Sequence, residues 1–130
     1  MTKVVGIIGC GAIGTVIAKA IDNKIVNCDR LVLYDVVNEK AERLGKSLSL
    51  ETVIVKSVDE MIGLNPRVIV KAASQQAVRE YANKILNSNI HLIVLSVGAL
   101  LNLNLKSSKI HIPSGAIGGL DAISAAPWLE

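Results

Sequence analysis

Aromatic residues are almost missing from this chain of 130 residues. Phenylalanine does not occur, and aromatic side chains make up 2% of the sequence. Proteins that bind single-stranded nucleic acids stack bases on aromatic side chains, so this class is disfavoured. The net charge of +3 is too small and too scattered for a DNA-binding stripe, although it would not repel an anionic small molecule. No nucleic-acid partner is therefore expected.

Long apolar runs and paired cysteines are also missing. Spanning a bilayer takes about 18 uninterrupted apolar residues, and the run 92–105 is broken by serine, glycine and asparagine. The run Val4 to Ala18 imitates a signal peptide, but its glycines make it a poor apolar helix. Cys10 and Cys28 form no C-x-x-C pair and are expected to be small buried side chains in a reducing compartment. A cytoplasmic protein without a membrane partner is predicted.

The chain opens on a glycine motif that directly follows the apolar run Val4 to Ile8. Its three glycines have the spacing G-x-G-x-x-G, which is typical of a strand, a tight turn and a helix that bind a dinucleotide. The first glycine permits the turn, the second lets the backbone approach a pyrophosphate, and the third brings the helix close to the strand. The predicted cofactor-binding residues of this turn are Gly9, Cys10, Gly11, Ala12, Ile13 and Gly14.

Asp35 strengthens this prediction and indicates which cofactor is preferred. It ends the next apolar run and lies 21 residues after Gly14, close to the spacing of about 20 expected for a ribose-binding acid. Its carboxylate would accept hydrogen bonds from the adenosine ribose of NAD. The 2′-phosphate of NADP would instead be repelled, by about 4 kcal/mol per unit charge at about 4 Å. NAD is expected, and Lys40 and Arg43 leave NADP possible; alternatively, Asp35 only caps a helix that begins near Asn38.

The whole chain alternates between short apolar runs and helical patterns. Predicted strands are Lys3 to Ile8, Leu31 to Tyr34, Thr52 to Val55, Val68 to Val70, Leu92 to Leu95 and Lys109 to Ile112. Predicted helices are Ala12 to Ile21, Glu39 to Leu44, a single turn or short helix at Val58 to Ile62, and Gln75 to Leu86. This pattern predicts an α/β fold, a doubly wound (Rossmann) six-stranded and mostly parallel sheet in the order 3-2-1-4-5-6, with helices on both faces.

Ligands on such a sheet bind beyond the carboxyl ends of the strands, so segments that follow strands are candidate site residues. Ala73 and Ser74 follow the fourth strand and are expected near the nicotinamide half of the cofactor. Ser74 either hydrogen-bonds a ribose or caps the next helix, and the two roles are compatible. The peptide Pro113 to Asp121 has three glycines, whose free amides suit an anion.

Three peptides together resemble one known family. The glycine motif, the segment Val94 to Leu100 and the peptide Pro113 to Asp121 are similar to the N-terminal portion of archaeal-type L-aspartate dehydrogenases, over Lys3 to Ala126. This resemblance implies oxidation of L-aspartate with NAD or NADP to iminoaspartate, which water converts to oxaloacetate and ammonia or which feeds NAD biosynthesis. It also implies that Ala116 contacts the cofactor near the nicotinamide.

Members of that family continue into a second, α+β domain that carries the catalytic histidine. We therefore expect residues 1–112 to form the dinucleotide-binding domain and residues 113–130 to begin a connection to a second domain. Neither His91 nor His111 matches the catalytic position, so no catalytic residue and no metal ligand is assigned, and L-aspartate is expected as substrate only if a second domain is supplied. The apolar residues Ile117, Leu120, Ile123 and Trp128 would then be exposed, which predicts a homo-oligomer.

Two other interpretations stay open at this stage. The chain is alternatively a stand-alone NAD-binding module that regulates a partner or senses redox state. It is also consistent with the first domain of an oxidoreductase related to homoserine dehydrogenase. Binding of NAD without turnover would be expected of the regulatory module.

Overall fold

A computed structural model describes residues 3–72, 76–95, 110–111 and 121–123, with the backbone alone described for residues 76–80. The strands are β1 (Val4–Ile8), β2 (Arg30–Tyr34), β3 (Glu51–Ile54), β4 (Val68–Lys71), β5 (His91–Val94) and β6 (Ile110–His111). The helices between them are α1 (Ala12–Asp22), α2 (Asn38–Lys46), α3 (Val58–Gly63) and α4 (Gln76–Asn87). Within this described part, none of the helices has the length and apolar character needed to cross a membrane.

The strands form one six-stranded sheet in the order β3-β2-β1-β4-β5-β6, and every neighbouring pair is parallel. This confirms the predicted fold class and strand order. The order reverses at β1, because β2 and β3 lie on one side of it and β4 to β6 on the other. The carboxyl ends of β1 and β4 therefore form the switch point of the sheet, which is where doubly wound sheets bind their ligands.

Continuous apolar strands explain why the sheet lies in the middle of the molecule. All five residues of β1 and all four of β4 are buried, as expected for parallel strands covered on both faces. Alternate residues of each strand point to opposite faces. One core cluster joins the sheet to α1 and α2 through Ile17 and Leu44, and a second joins it to α3 and α4 through Met61 and Ile85.

The predicted boundaries hold to within two residues where the structure describes them. The third connection is a helix of six residues, α3, rather than a single turn. Its start is fixed by the Ser57 hydroxyl, which accepts a hydrogen bond from the Glu60 N–H at 3.1 Å. Lys109 and Ile112, the predicted ends of β6, lie outside the described residues.

The residues after β6 require one correction. Ile123 was predicted to lie on an exposed apolar surface, but it is fully buried in the core cluster on the α1–α2 side. The helical turn 121–123 therefore packs on this domain, and Ile123 is not available for self-association. Ile117, Leu120 and Trp128 lie outside the described residues, so self-association through them stays a prediction.

Candidate cofactor-binding site

The glycine turn begins directly at the end of β1. Gly9 has a φ of 99°, a backbone conformation that strains any residue with a Cβ atom. Its N–H donates to the carbonyl oxygen of Tyr34 at 2.8 Å, which fixes the start of the turn against the end of β2. The chain can therefore leave the sheet and enter α1 within three residues.

Gly14 lets α1 lie directly against this turn. A Cβ atom built at Gly14 would overlap the backbone carbonyl oxygen of Gly9, whereas one built at Gly11 meets nothing within 4 Å. The two glycines consequently have different roles. Gly14 is needed for packing inside the protein, while Gly11 borders open space in which a ligand can approach the backbone.

The amino end of α1 is well suited to a phosphate. Gly11 is its N-cap residue and supplies no side-chain hydrogen bond, and the first turn contains no acidic residue. The first helical hydrogen bond runs from the Thr15 N–H to the carbonyl oxygen of Gly11 at 2.9 Å. The amides of Ala12, Ile13 and Gly14 precede it, and such amides have no partner within the helix and carry the positive end of its dipole. An oxyanion would satisfy them.

Asp35 joins the glycine turn to the end of β2. One carboxylate oxygen accepts a hydrogen bond from the Cys10 N–H at 2.7 Å, and the other accepts one from the Val37 N–H at 2.8 Å. The N-cap of α2 is Val37, without a side-chain cap, so Asp35 does not occupy the capping position. A carboxylate offers about four acceptor sites, which leaves about two for ribose hydroxyls. Asp35 is half-buried and therefore open to a ligand on one side.

Cys10 lies in the turn as a structural side chain. It is buried, and its thiol is 3.7 Å from the carbonyl oxygen of Tyr34. Burial, and after it the charge of Asp35, raises the pKa of this thiol to about 12, so the nucleophilic thiolate is disfavoured. Both cysteines are free; Cys10 is buried as predicted, whereas Cys28 is only half-buried.

A cavity of about 260 Å³ adjoins the turn between α1 and α2. Three of its lining side chains are cationic, those of Lys19, Lys40 and Arg43. Cys10 lines the same cavity, which places these cations on the Asp35 side of the turn. Tolerance of a 2′-phosphate by Lys40 and Arg43 stays a prediction.

A larger cavity, of about 550 Å³, lies at the opposite end of the sheet. Its lining residues precede β2 and β3 or end α1, and they include Asp22, Cys28 and Leu50. The carboxylate of Asp22 is already occupied by the Ser49 and Leu50 N–H groups. Because doubly wound sheets bind ligands at the carboxyl ends of their strands, the cofactor site belongs to the glycine turn.

Sequence reasoning missed one residue at this edge, Lys71. It is the last residue of β4, it pairs with Ile8 of β1, and it is fully buried. Within the described part of the chain its ammonium nitrogen has no hydrogen-bond partner. The available signal was a charged residue ending the apolar run Val68 to Val70, immediately before the predicted site residues.

Ala73, Ser74 and Ala116 lie outside the described residues, so their cofactor contacts stay predictions. Asp121 is exposed.

The two histidines lie away from the glycine turn. His91 begins β5, at the amino end of the strand, and its Nδ1 is 3.2 Å from Nε2 of His111. Their rings stack with centroids 5.4 Å apart. Burial lowers the pKa of His111, which favours its neutral form. Among the residues whose placement is described, no three His, Cys, Asp or Glu side chains are grouped to hold a metal.

The chain is similar in sequence to known NAD-binding proteins. Residues 9–110 match the sequence pattern of the NAD-binding domain of homoserine dehydrogenase. The chain is 41% identical over 132 residues to the L-aspartate dehydrogenase of Methanocaldococcus jannaschii and 36% identical over 132 residues to that of Methanococcus maripaludis strain C6. Each alignment covers 93% of this chain and 49% of the relative, so the chain spans about half the length of these curated relatives.

Solved structures show the same fold at low sequence identity. The myo-inositol dehydrogenase of Lactobacillus casei, in complex with NAD(H) and myo-inositol, has a TM-score of 0.71 at 17% identity, covering 86% of this chain and 36% of that one. The myo-inositol dehydrogenase of Corynebacterium glutamicum has a TM-score of 0.68 at 21% identity, with the same coverage of both chains. The predicted resemblance to the NAD-binding portion of archaeal L-aspartate dehydrogenases is confirmed, as is NAD as the cofactor class. The chain belongs to the family of NAD-binding domains typified by that of homoserine dehydrogenase.

Proposed function

We propose that this chain is the NAD-binding domain of an L-aspartate dehydrogenase, an enzyme that oxidises the carbon–nitrogen bond of L-aspartate to an imine. The observation that carries the proposal is the 41% identity to the Methanocaldococcus jannaschii enzyme over 93% of this chain. NAD, when bound, supplies the acceptor for the hydride that leaves the substrate carbon. The residues of this chain bind and orient that acceptor.

The division of work among the residues follows from their contacts. The α1 amides and the open space at Gly11 suit the pyrophosphate. Asp35, held by the Cys10 and Val37 amides, presents its remaining acceptor sites to the adenosine ribose. The cationic cavity at Lys40 and Arg43 makes NADP a second, weaker cofactor. The two free thiols suit a reducing cytoplasm.

The substrate depends on a second domain, because this chain aligns with 49% of its relatives. We therefore propose a test in which residues 1–126 of this chain replace the aligned half of the Methanocaldococcus jannaschii enzyme. The chimera should bind NADH and oxidise L-aspartate. The matched control is the unaltered Methanocaldococcus jannaschii enzyme. A chimera that binds NADH and stays folded but does not oxidise L-aspartate would contradict the proposal.

A second candidate is the first domain of a homoserine dehydrogenase, and the match to that family's pattern over residues 9–110 favours it. The two candidates share the cofactor and differ in the substrate. The two candidates are distinguished by mixing this chain with the separately produced second domain of each enzyme. Recovery of homoserine oxidation alone would favour the second candidate, and recovery of aspartate oxidation alone the first.

A further inference from the structure

We infer that the ammonium group of Lys71 is the counter-charge for an oxyanion of the ligand bound at the carboxyl ends of β1 and β4. The inference rests on the proposed function, since it assigns a further residue to the same cofactor and substrate site. The oxyanion is either the pyrophosphate of the dinucleotide or a carboxylate of the substrate, and both chemistries suit a lysine at this edge.

The position of Lys71 in the sheet places it beside the glycine turn. It pairs with Ile8 of β1 on one side and with Val94 of β5 on the other. The Ala72 N–H donates to the carbonyl oxygen of Ile8 at 2.8 Å, and the Leu95 N–H donates to that of Lys71 at 3.1 Å. Lys71 is thus the last residue of β4, which lies beside β1 at the switch point. It is level with Ile8, one residue before Gly9.

The surroundings of its side chain are apolar. Residues alternate across a strand, so Lys71 shares with Ile69 the face covered by α3 and α4. The core cluster on that face includes Ile8, Ile69 and Val94. Of the residues described in the structure, Lys71 is the one buried charged side chain, and its nitrogen has no hydrogen-bond partner there. Lysine is almost never fully buried unless it is paired.

The buried amine keeps enough positive charge to bind an anion. Burial lowers its pKa from 10.5 to about 8, so the group remains predominantly protonated at pH 7. A charged group that is costly to bury and has no internal partner is explained when a ligand supplies the partner. An oxyanion of a ligand at the carboxyl ends of β1 and β4 would provide that partner.

The test compares two variants of the full 130-residue chain. Lys71→Met removes the charge and keeps an apolar side chain of similar length, while Lys84→Met removes an exposed lysine that pairs with Asp59 on the protein surface. Calorimetry measures the binding of ADP-ribose, which carries the pyrophosphate without nicotinamide, and of NADH to each variant. The binding of malonate, a dicarboxylate, is measured on the NADH complex of the chimera defined above, which supplies the second domain, with and without each substitution. Thermal unfolding of each variant is measured in parallel.

Lys71→Met should weaken the binding of ADP-ribose and NADH by about tenfold or more if the partner is the pyrophosphate. It should weaken malonate binding alone if the partner is a carboxylate. In either case its melting temperature should not fall, because an unpaired buried charge has been removed, and lost binding is then not explained by unfolding. Lys84→Met should bind all three ligands as the parent chain does.

A folded Lys71→Met variant that binds all three ligands like the parent chain would overturn the inference and leave Lys71 a buried amine without a ligand role. Failure of the proposed function has a different signature. In that case the parent chain itself binds neither ADP-ribose nor NADH. The two failures are therefore distinguished by the parent titration alone.

Discussion

At the scale of single residues, Asp35 is the side chain that we propose to select the cofactor. Its carboxylate is held by the amides of Cys10 and Val37, so its orientation is fixed before any ligand arrives. A fixed carboxylate favours ribose hydroxyls and opposes a 2′-phosphate. The position of this proposed selecting charge is therefore set by two backbone amides, one 25 residues and the other 2 residues away in sequence.

Asp35→Asn tests this role. The amide keeps the shape and one acceptor oxygen but loses the charge, so NADH should bind about tenfold or more weakly, as expected for loss of charge-assisted hydrogen bonds. NADPH should lose less or gain, because the repulsion of its 2′-phosphate is removed. Fluorescence titration of both cofactors measures the ratio of their dissociation constants. The control is Asp59→Asn, which changes an exposed acid on α3. If the ratio of the two dissociation constants were the same in Asp35→Asn as in the parent chain, the role of Asp35 in cofactor selection would be refuted.

At the scale of elements, the contact between α1 and the end of β1 forms the cradle. The helix lies so close to the turn that the Gly14 position has no room for a methyl group beside the Gly9 carbonyl. The two nearest atoms that such a methyl group would meet belong to the Gly9 backbone, which cannot move aside as a flexible side chain can. The same close packing places the free amides at the start of α1 beside the carboxyl end of β1.

Gly14→Ala should therefore destabilise the domain by about 1–3 kcal/mol, through overpacking and displacement of α1. Gly63→Ala is the matched control, since a Cβ there meets nothing within 4 Å, and it should be neutral or stabilising by up to about 1 kcal/mol. Urea unfolding of both variants measures the difference. Equal stabilities would mean that α1 does not need this close approach.

Elements were predictable from the sequence because their signals are local. The apolar run Val4 to Ile8, the glycine spacing and the change between strand and helical periods fix the element order, and crossover handedness then fixes the sheet. The length of α3 was less certain because its signal is short and depends on the Ser57 cap.

The contacts of the site could not be predicted in the same way. The sequence places Asp35 at the correct strand end, but the hydrogen bond to Cys10 joins residues 25 apart and follows from strand register. In the sequence, Lys71 is an ordinary lysine at the end of an apolar run. Its burial follows from the sheet order, which places β1 and β5 on either side of β4. Ile123 was predicted to be exposed because nothing in its local sequence shows that the turn 121–123 folds back onto the core.

At the scale of the whole molecule, Lys71 links stability to pH. Its pKa is about 8 in the folded chain against 10.5 as the ordinary value, so the unfolded chain binds more protons between these two values. The free energy of unfolding should therefore rise as pH increases from about 8 to about 10.5. Below about pH 8 the cost of burying the charge is fully present, at roughly 3 kcal/mol for a shift of this size at 1.36 kcal/mol per pKa unit.

Lys71→Met isolates this contribution from the other groups that titrate in alkaline solution. The variant should be more stable than the parent by up to roughly 3 kcal/mol at pH 7, and the difference should shrink towards zero as pH approaches about 10.5. Urea unfolding of both chains at several pH values between 7 and 10 measures it, with Lys84→Met expected to follow the parent throughout. A difference between Lys71→Met and the parent that stays constant across this range would show that packing, rather than the buried charge, separates them. A difference that shrinks as pH rises would show that the fold buries this cation at a cost in free energy.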